Sequence, residues 1–158
     1  MLIYFGAPLF SQAEKVFNLL LTENLEDRGF QVFLPQRDSV ESRKPPYNEM
    51  NSAELNRVIF TVDRDKLLEA DIFLFVLDGR VPDEGACVEL GIAYDQKHLL
   101  QRDKLLIGLH TDFRGAFLGD KLNAMLQGSL DTIVNNEDDL IAALEEHRHA
   151  RVQQRWPS

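Results

Sequence analysis

"DIFLFVLDGRVPDEGACVELGIAYDQ", residues 71–96, holds both halves of one structural unit. Its first part, Asp71 to Gly79, is a continuous apolar run closed by Asp-Gly. A run without polar alternation suits a strand covered on both faces, which is the ordinary condition of a parallel sheet. The second part opens on Pro82 and reads as a helix with acid, Asp83 and Glu84, at its start. Carboxylates are favoured there because the first N–H groups are unpaired and the helix dipole is positive at that end. Glu89 does not fit that explanation. It falls about a turn and a half into the helix beside Val88, Leu90 and Ile92, where a solvated face is not the first expectation. Taken alone it reads equally as an ion-paired glutamate on an acidic helix.

The same alternation continues on both sides of this unit. "LIYFG" (2–6) reads as a first strand, and "SQAEKVFNLLLTENLEDRG" (11–29) as a helix stopped by Gly29. "FQVFLP" (30–35) reads as a second strand closed by Pro35. The polar, proline-bearing stretch 36–51 is long for a plain connection and so is a candidate functional loop. Ser52 is placed to cap the next helix, 53–70, which leads into the run at Asp71. Beyond residue 96, "KLLIGLH" (104–110) is a fourth strand and "DTIV" (131–134) a short fifth. The connection between them, 111–128, carries Phe113 and Phe117, placed to cover a pocket or build an interface. "EDDLIAALEEHRHA" (137–150) is a last helix.

Five strands alternating with helices predict a single-domain three-layer α/β fold, with a mainly parallel, flavodoxin-like sheet in order 2-1-3-4-5. The domain is expected over 1–148, followed by a polar, loosely held tail, 149–158, with Trp156 as its one apolar anchor. In such sheets ligands bind at the carboxyl ends of the strands where strand order reverses. Here that crevice lies between strands 1 and 3, beside "FGAPLF" and "DGRVPDEG".

Composition narrows the function classes. The 158 residues carry 17 Lys and Arg against 26 Asp and Glu, a net charge of −9. That balance repels a phosphate backbone, so no nucleic acid polymer is expected as partner. The single cysteine, Cys87, excludes an internal disulfide and reads as small-residue helix packing. With four histidines and no CxxC spacing, no metal site is expected. Apolar runs fall short of a membrane span and the N-terminus lacks signal-peptide character, so a cytoplasmic protein without membrane association is expected. Neither GxGxxG nor GxxxxGK[ST] is present, which leaves no dinucleotide or triphosphate cradle. A GxSxG elbow is missing too, and Cys87 has no histidine near it in sequence. What remains is a crevice with carboxylates and few basic groups. Paired carboxylates suit glycosyl chemistry, one as nucleophile or charge stabiliser and the other moving a proton.

Taken singly, the remaining candidates are ambiguous. Asp63 and Asp65 lie two apart on one helix, so only one can face the sheet, and each alone reads as a solvated residue. Tyr4 alone reads as core, and Asn123 as a polar residue on a short helix.

Together, "IYFGAPLF" (3–10), "DRDKLLEADIFLFVLDG" (63–79), "PDEGACVELGIAYDQ" (82–96) and "LNAMLQG" (122–128) resemble the nucleoside 2-deoxyribosyltransferase family over residues 2–134. The resemblance implies that Glu89, the glutamate of "ELG", is the nucleophile that takes the deoxyribosyl group from one base and hands it to another. It implies Asp63 as the proton donor and acceptor at the base nitrogen. Asp83 would bind the sugar hydroxyls, Tyr4 would orient Glu89, and Gly6 would allow close approach of the ligand. Gln36 and Asp38 fall where the family places base contacts. Asn123 corresponds to the residue that enters a neighbouring subunit's site, which implies a dimer-based homo-oligomer, typically a hexamer. The substrates implied are 2′-deoxynucleosides and free nucleobases, with no cofactor. Two other readings stand beside this one: a 2′-deoxynucleoside 5′-monophosphate N-glycosidase on the same scaffold, and a non-catalytic nucleoside sensor. The resemblance implies a Gly- and Arg-bearing turn after strand 1 in the monophosphate hydrolases; here that turn lacks arginine, which favours an uncharged 5′-hydroxyl over a phosphate, while Arg43, Lys44 and Arg57 keep the phosphate reading open.

Overall fold

The computed structural model describes residues 1–112 and 122–155. Phe113, Phe117 and Trp156 therefore lie outside the described residues. Five strands, β1 (Leu2–Gly6), β2 (Gln31–Phe33), β3 (Ile72–Val76), β4 (Leu105–Leu109) and β5 (Thr132–Val134), form one sheet in the order β2-β1-β3-β4-β5. Every pairing is parallel, so the sheet is wholly rather than mainly parallel. The order is the expected one, and β1 and β3 lie side by side with Tyr4 opposite Phe73 and Gly6 opposite Phe75.

Strand alternation divides the core in two. Ile3, Phe5, Ile72, Leu74 and Val76 face one layer with Leu21 and Leu25 of α1 (Gln12–Asp27) and Leu140 and Leu144 of α6 (Glu137–Arg155). Tyr4, Phe73, Phe75 and Leu106 face the other with Leu67 of α3 (Ser52–Glu69) and Ala86, Leu90 and Ala93 of α4 (Glu84–His98). The second layer holds the chemistry-bearing side chains. Burial of strand residues on both faces explains why β3 reads as an unbroken apolar run.

Several local expectations change. Pro35 does not merely close β2; it opens a short helix, α2 (Pro35–Asp38), because its fixed φ and missing N–H suit the first helical turn. The stretch 36–51 contains the rest of α2 and a 3-10 turn, Tyr47–Glu49. Asn51, not Ser52, caps α3, accepting from Ala53 N and Glu54 N while Glu54 reaches back to Asn51 N. Asn is at least as good a cap as Ser, and Glu three residues on completes the reciprocal box. The expected loose tail is helical as far as Arg155. Arg151 bonds Asp71 at 2.6 Å and Asp103 at 2.7 Å, and Arg148 lies 4.8 Å over the Phe30 ring. Asp71 in turn accepts from Leu2 N, fastening the start of β1 to the same cluster. Between β4 and β5, α5 (Ala124–Ser129) begins at Asn123.

Candidate active site

Tyr4 is fully buried in the middle of β1, its ring stacked 5.5 Å from Phe33 and 6.0 Å from Phe73. Its hydroxyl points towards α4 and donates to Glu89 Oε1 at 2.7 Å. Tyr4 is thus a core residue whose hydroxyl reaches Glu89. Glu89 is reached by a helix whose start is fixed by Asp83, which caps α4 by accepting from Ala86 N at 2.8 Å. Leu90 is buried and Val88 is 61% exposed, so the helix turns Glu89 along the boundary between core and surface. The carboxylate is half-buried against the sheet.

That placement makes ionisation costly. Burial, and then the negative charges of Asp63 and Asp83, push Glu89 up to about 7, while the Tyr4 hydroxyl pulls the other way. Tyr4 itself is raised far above its ordinary range by burial and the Glu89 carboxylate, so it stays a donor at any working pH. Glu89 is a carboxylate poised to ionise near neutrality in a place with little water. Replacing Tyr4 with phenylalanine removes the hydrogen bond that favours the charged form, so Glu89 in Tyr4→Phe should ionise about one unit higher. The alkaline shift of the rising limb of kcat/KM against pH measures this; an unmoved limb would show that the hydroxyl does not govern Glu89.

Gly6 ends β1 directly beneath this pair. A Cβ there would stand 3.0 Å from Phe73 Cζ and 3.3 Å from Glu89 Oε2, so only hydrogen leaves the carboxylate its position. Asp63 comes from the middle of α3. It is half-buried, burial raises its pKa, and Asp63 Oδ1 is shut off from solvent without a hydrogen bond. Asp65 is turned outward and paired with Arg64, so Asp63 is the member of the pair that faces the sheet. Its charge acts on both Tyr4 and Glu89. Four elements, β1, α3, α4 and the loop before α4, therefore bring Tyr4, Gly6, Asp63, Asp83 and Glu89 into one neighbourhood.

Three further expected residues are engaged in hydrogen bonds within their own surroundings. Both ends of the Gln36 amide are engaged: Oε1 accepts from Asn18 Nδ2 at 3.0 Å and Nε2 donates to Lys15 O at 2.9 Å. Asp38 accepts from Leu34 N at 2.8 Å and from Arg37. Within one chain these two serve as anchors of α2. Asn123 is exposed and caps α5, accepting from Met125 N at 2.8 Å. Ser39, which nothing in the sequence singles out, stands next to Asp63 instead.

A cavity of about 460 Å³ opens elsewhere, between the start of α1 and the ends of β3 and β4, lined in part by Pro8, Asn18, Asp78 and Thr111. Two of the carboxylates that line it are held in local structure: Glu14 completes the Ser11 capping box, and Asp78 accepts from Thr111 N, Thr111 Oγ1 and Asp112 N. Two carboxyls raised by burial, Glu89 and Asp63, lie close enough to act on each other, with Asp63 Oδ1 buried and unsatisfied, and that is where chemistry is to be sought.

The sequence model of nucleoside 2-deoxyribosyltransferases matches residues 3–144 of this chain. The chain belongs to the nucleoside 2-deoxyribosyltransferase family. Similar solved structures include a conserved protein of Enterococcus faecalis, 26% identical over 94% of this chain and 98% of that one, with a TM-score of 0.70. A 2-deoxyribosyltransferase of Bacillus psychrosaccharolyticus is 23% identical over 89% of this chain and 90% of that one, with a TM-score of 0.69. One from Leishmania mexicana is 18% identical over 92% and 98%, with a TM-score of 0.62. At 23% and 18% identity the last two speak for the fold alone. No curated protein is similar enough in sequence to count as a match. As a member of a nucleoside 2-deoxyribosyltransferase family, the chain carries its matched region across all five strands and as far as Leu144 of α6. No helix among the described residues is long and apolar enough to cross a membrane.

Proposed function

We propose that this protein exchanges the base of a 2′-deoxynucleoside for a free purine or pyrimidine base, by a ping-pong route through a covalent deoxyribosyl-Glu89 intermediate. The observation that carries the reading is the half-buried Glu89 carboxylate, held at 2.7 Å by Tyr4 and raised to about 7, beside a second carboxyl at Asp63 whose Oδ1 is buried without a regular hydrogen bond. Two carboxyls with different surroundings divide the work of nucleophile and acid.

In the first half-reaction ionised Glu89 attacks C1′, the C1′–N bond breaks with its electron pair on the base, and protonated Asp63 gives its proton to the base nitrogen. Asp63 is left as carboxylate. The acceptor base then attacks C1′ from the side the first base left, surrenders its proton to Asp63 and releases Glu89. Two inversions give net retention. Asp83, with one oxygen on the α4 cap, keeps the other for a sugar hydroxyl. Neither metal nor organic cofactor takes part. The reading includes a cytoplasmic, dimer-based homo-oligomer, with a hexamer as the expected size and Asn123 completing the sugar pocket of a neighbour; its exposure at the start of α5 leaves it accessible for that contact.

The test incubates deoxyinosine with adenine and separates the products by chromatography. Deoxyadenosine should appear only with enzyme and added adenine, and inosine in place of deoxyinosine should give little product because its 2′-hydroxyl must fit beside Glu89. Release of hypoxanthine chiefly from deoxyinosine monophosphate would instead make the protein a nucleotide N-glycosidase. Binding of deoxyinosine without chemical change over hours would make it a sensor.

A further inference from the structure

The segment after β2 reads as a base-contact loop, yet the polar groups of Gln36 and Asp38 are tied to neighbouring parts of the same chain. What those ties hold still is the next residue. Arg37 forks onto Glu26 at 2.7 and 2.9 Å and also donates to Val32 O at 3.0 Å, Asp38 accepts from Leu34 N, and Ser39 N donates to Pro35 O at 3.1 Å. The end of α2 is thereby fastened to α1 and β2 and to its own first turn. Ser39 is delivered from this fixed point to the side of Asp63, where its hydroxyl favours the charged carboxylate. Neither Ser39 Oγ nor Asp63 Oδ1 makes a hydrogen bond of regular geometry, and both atoms are shut off from solvent. Two adjacent buried groups, one able to donate and the other to accept, form an incomplete pair, and catalytic hydrogen bonds commonly tighten only when substrate is bound.

We propose that Ser39 is a positioning residue for Asp63: its hydroxyl donates to Oδ1, which leaves Oδ2 to meet the base and steadies the carboxylate once its proton has gone. The proposal deepens the base-exchange reading and rests on it for the identity of the proton's partner. Ser39 loses no proton itself. As the C1′–N bond breaks and the Asp63 proton passes to the base nitrogen, negative charge grows on Asp63, and a hydrogen bond from a neutral hydroxyl strengthens as it does. The groups that face Asp63 from other elements, Glu89 on α4 and Tyr4 on β1, bring no positive charge, and the Arg64 on its own helix is turned to Asp65. A hydroxyl is therefore the group at hand to hold that charge.

The test is an infrared titration of the side-chain carboxyl in full-length protein labelled with carbon-13 aspartate, with Asp63→Asn as the difference that assigns the Asp63 band. In Ser39→Ala the Asp63 titration should move to higher pH by about half a unit to one unit, and in Ser39→Thr, which keeps the hydroxyl, it should stay where the unaltered protein has it. The limb of kcat/KM set by Asp63 should move with it. An Asp63 titration unchanged in Ser39→Ala, or shifted alike in Ser39→Ala and Ser39→Thr, overturns the proposal. Failure of base exchange in the unaltered protein would overturn the functional reading without altering what the titration decides.

Discussion

Glu89→Gln should abolish base exchange and, at alkaline pH, make the protein more stable. The activity loss follows from chemistry: an amide oxygen keeps the shape and still accepts from Tyr4, but it cannot form the covalent sugar ester. Removal of a covalent nucleophile acting with its partners costs on the order of 10³-fold or more in kcat. The stability gain follows from the sign of the ionisation. Folding raises Glu89 from 4.5 to about 7, so the folded protein holds that proton more tightly than the unfolded chain. Below the lower value both states are protonated and there is no penalty. Between the two it grows as pH rises, and above about 7 it is complete. A glutamine does not ionise, so its advantage should be absent near pH 4 and reach about 1–3 kcal/mol near pH 8. Thermal unfolding of both proteins at the two pH values measures it. An ordinary ion-paired glutamate on an acidic helix has the opposite signature: its loss costs stability at high pH and leaves catalysis intact.

Much of the architecture is legible in the sequence because burial on both faces writes itself as composition. Ile72 to Val76 are all buried, and their unbroken apolar run places a central parallel strand without any structural information. Helix ends are less legible, since Asn51 and Ser52 are both good caps and only backbone geometry selects the first. The candidate site is legible in residue types but not in pairings. Glu89 stands out as a carboxylate in an apolar helix stretch, but its partner Tyr4 is 85 residues away and looks like any inward-facing strand residue. Asp63 and Asp65 are equivalent in composition and are separated only by which side of α3 meets the sheet. Gln36 and Asp38 have the polar chemistry expected of base contacts, and their capture by Asn18, Lys15, Leu34 and Arg37 is a tertiary fact with no local signal. Ser39 carries no local signal for the same reason. Serine in a polar loop is ordinary; a serine hydroxyl buried beside a buried carboxylate is not. The helical tail differs again, because Arg148 and Arg151 look solvent-seeking in sequence while their charges are met by Glu145, Asp71 and Asp103 in the fold.

Gly6→Ala should disable the site while leaving the sheet formed. The added methyl would enter at 3.0 and 3.1 Å from Phe73 ring atoms and 3.3 Å from Glu89 Oε2, closer than ordinary van der Waals contact. The ring cannot easily give way, since Phe73 is stacked on Tyr4 and set edge-on to Phe75 at 6.0 Å in each case. The carboxylate must therefore move, and its 2.7 Å bond to Tyr4 lengthens or bends. Overpacking of this kind costs about 1–3 kcal/mol of stability. The larger effect is on rate, because displacing a reacting group by about 1 Å can cost on the order of 10²-fold. Gly108→Ala supplies the control. A Cβ there would press on Leu77 Cδ1 at 2.8 Å and Leu130 Cδ1 at 2.9 Å, in the same core layer, with Ile133 and not Glu89 as the next neighbour. It should lower the melting temperature to a similar degree yet leave kcat within a few-fold. Equal losses of kcat in the two variants would mean that Gly6 serves packing alone, and that the close approach of Glu89 to β1 has no part in the chemistry.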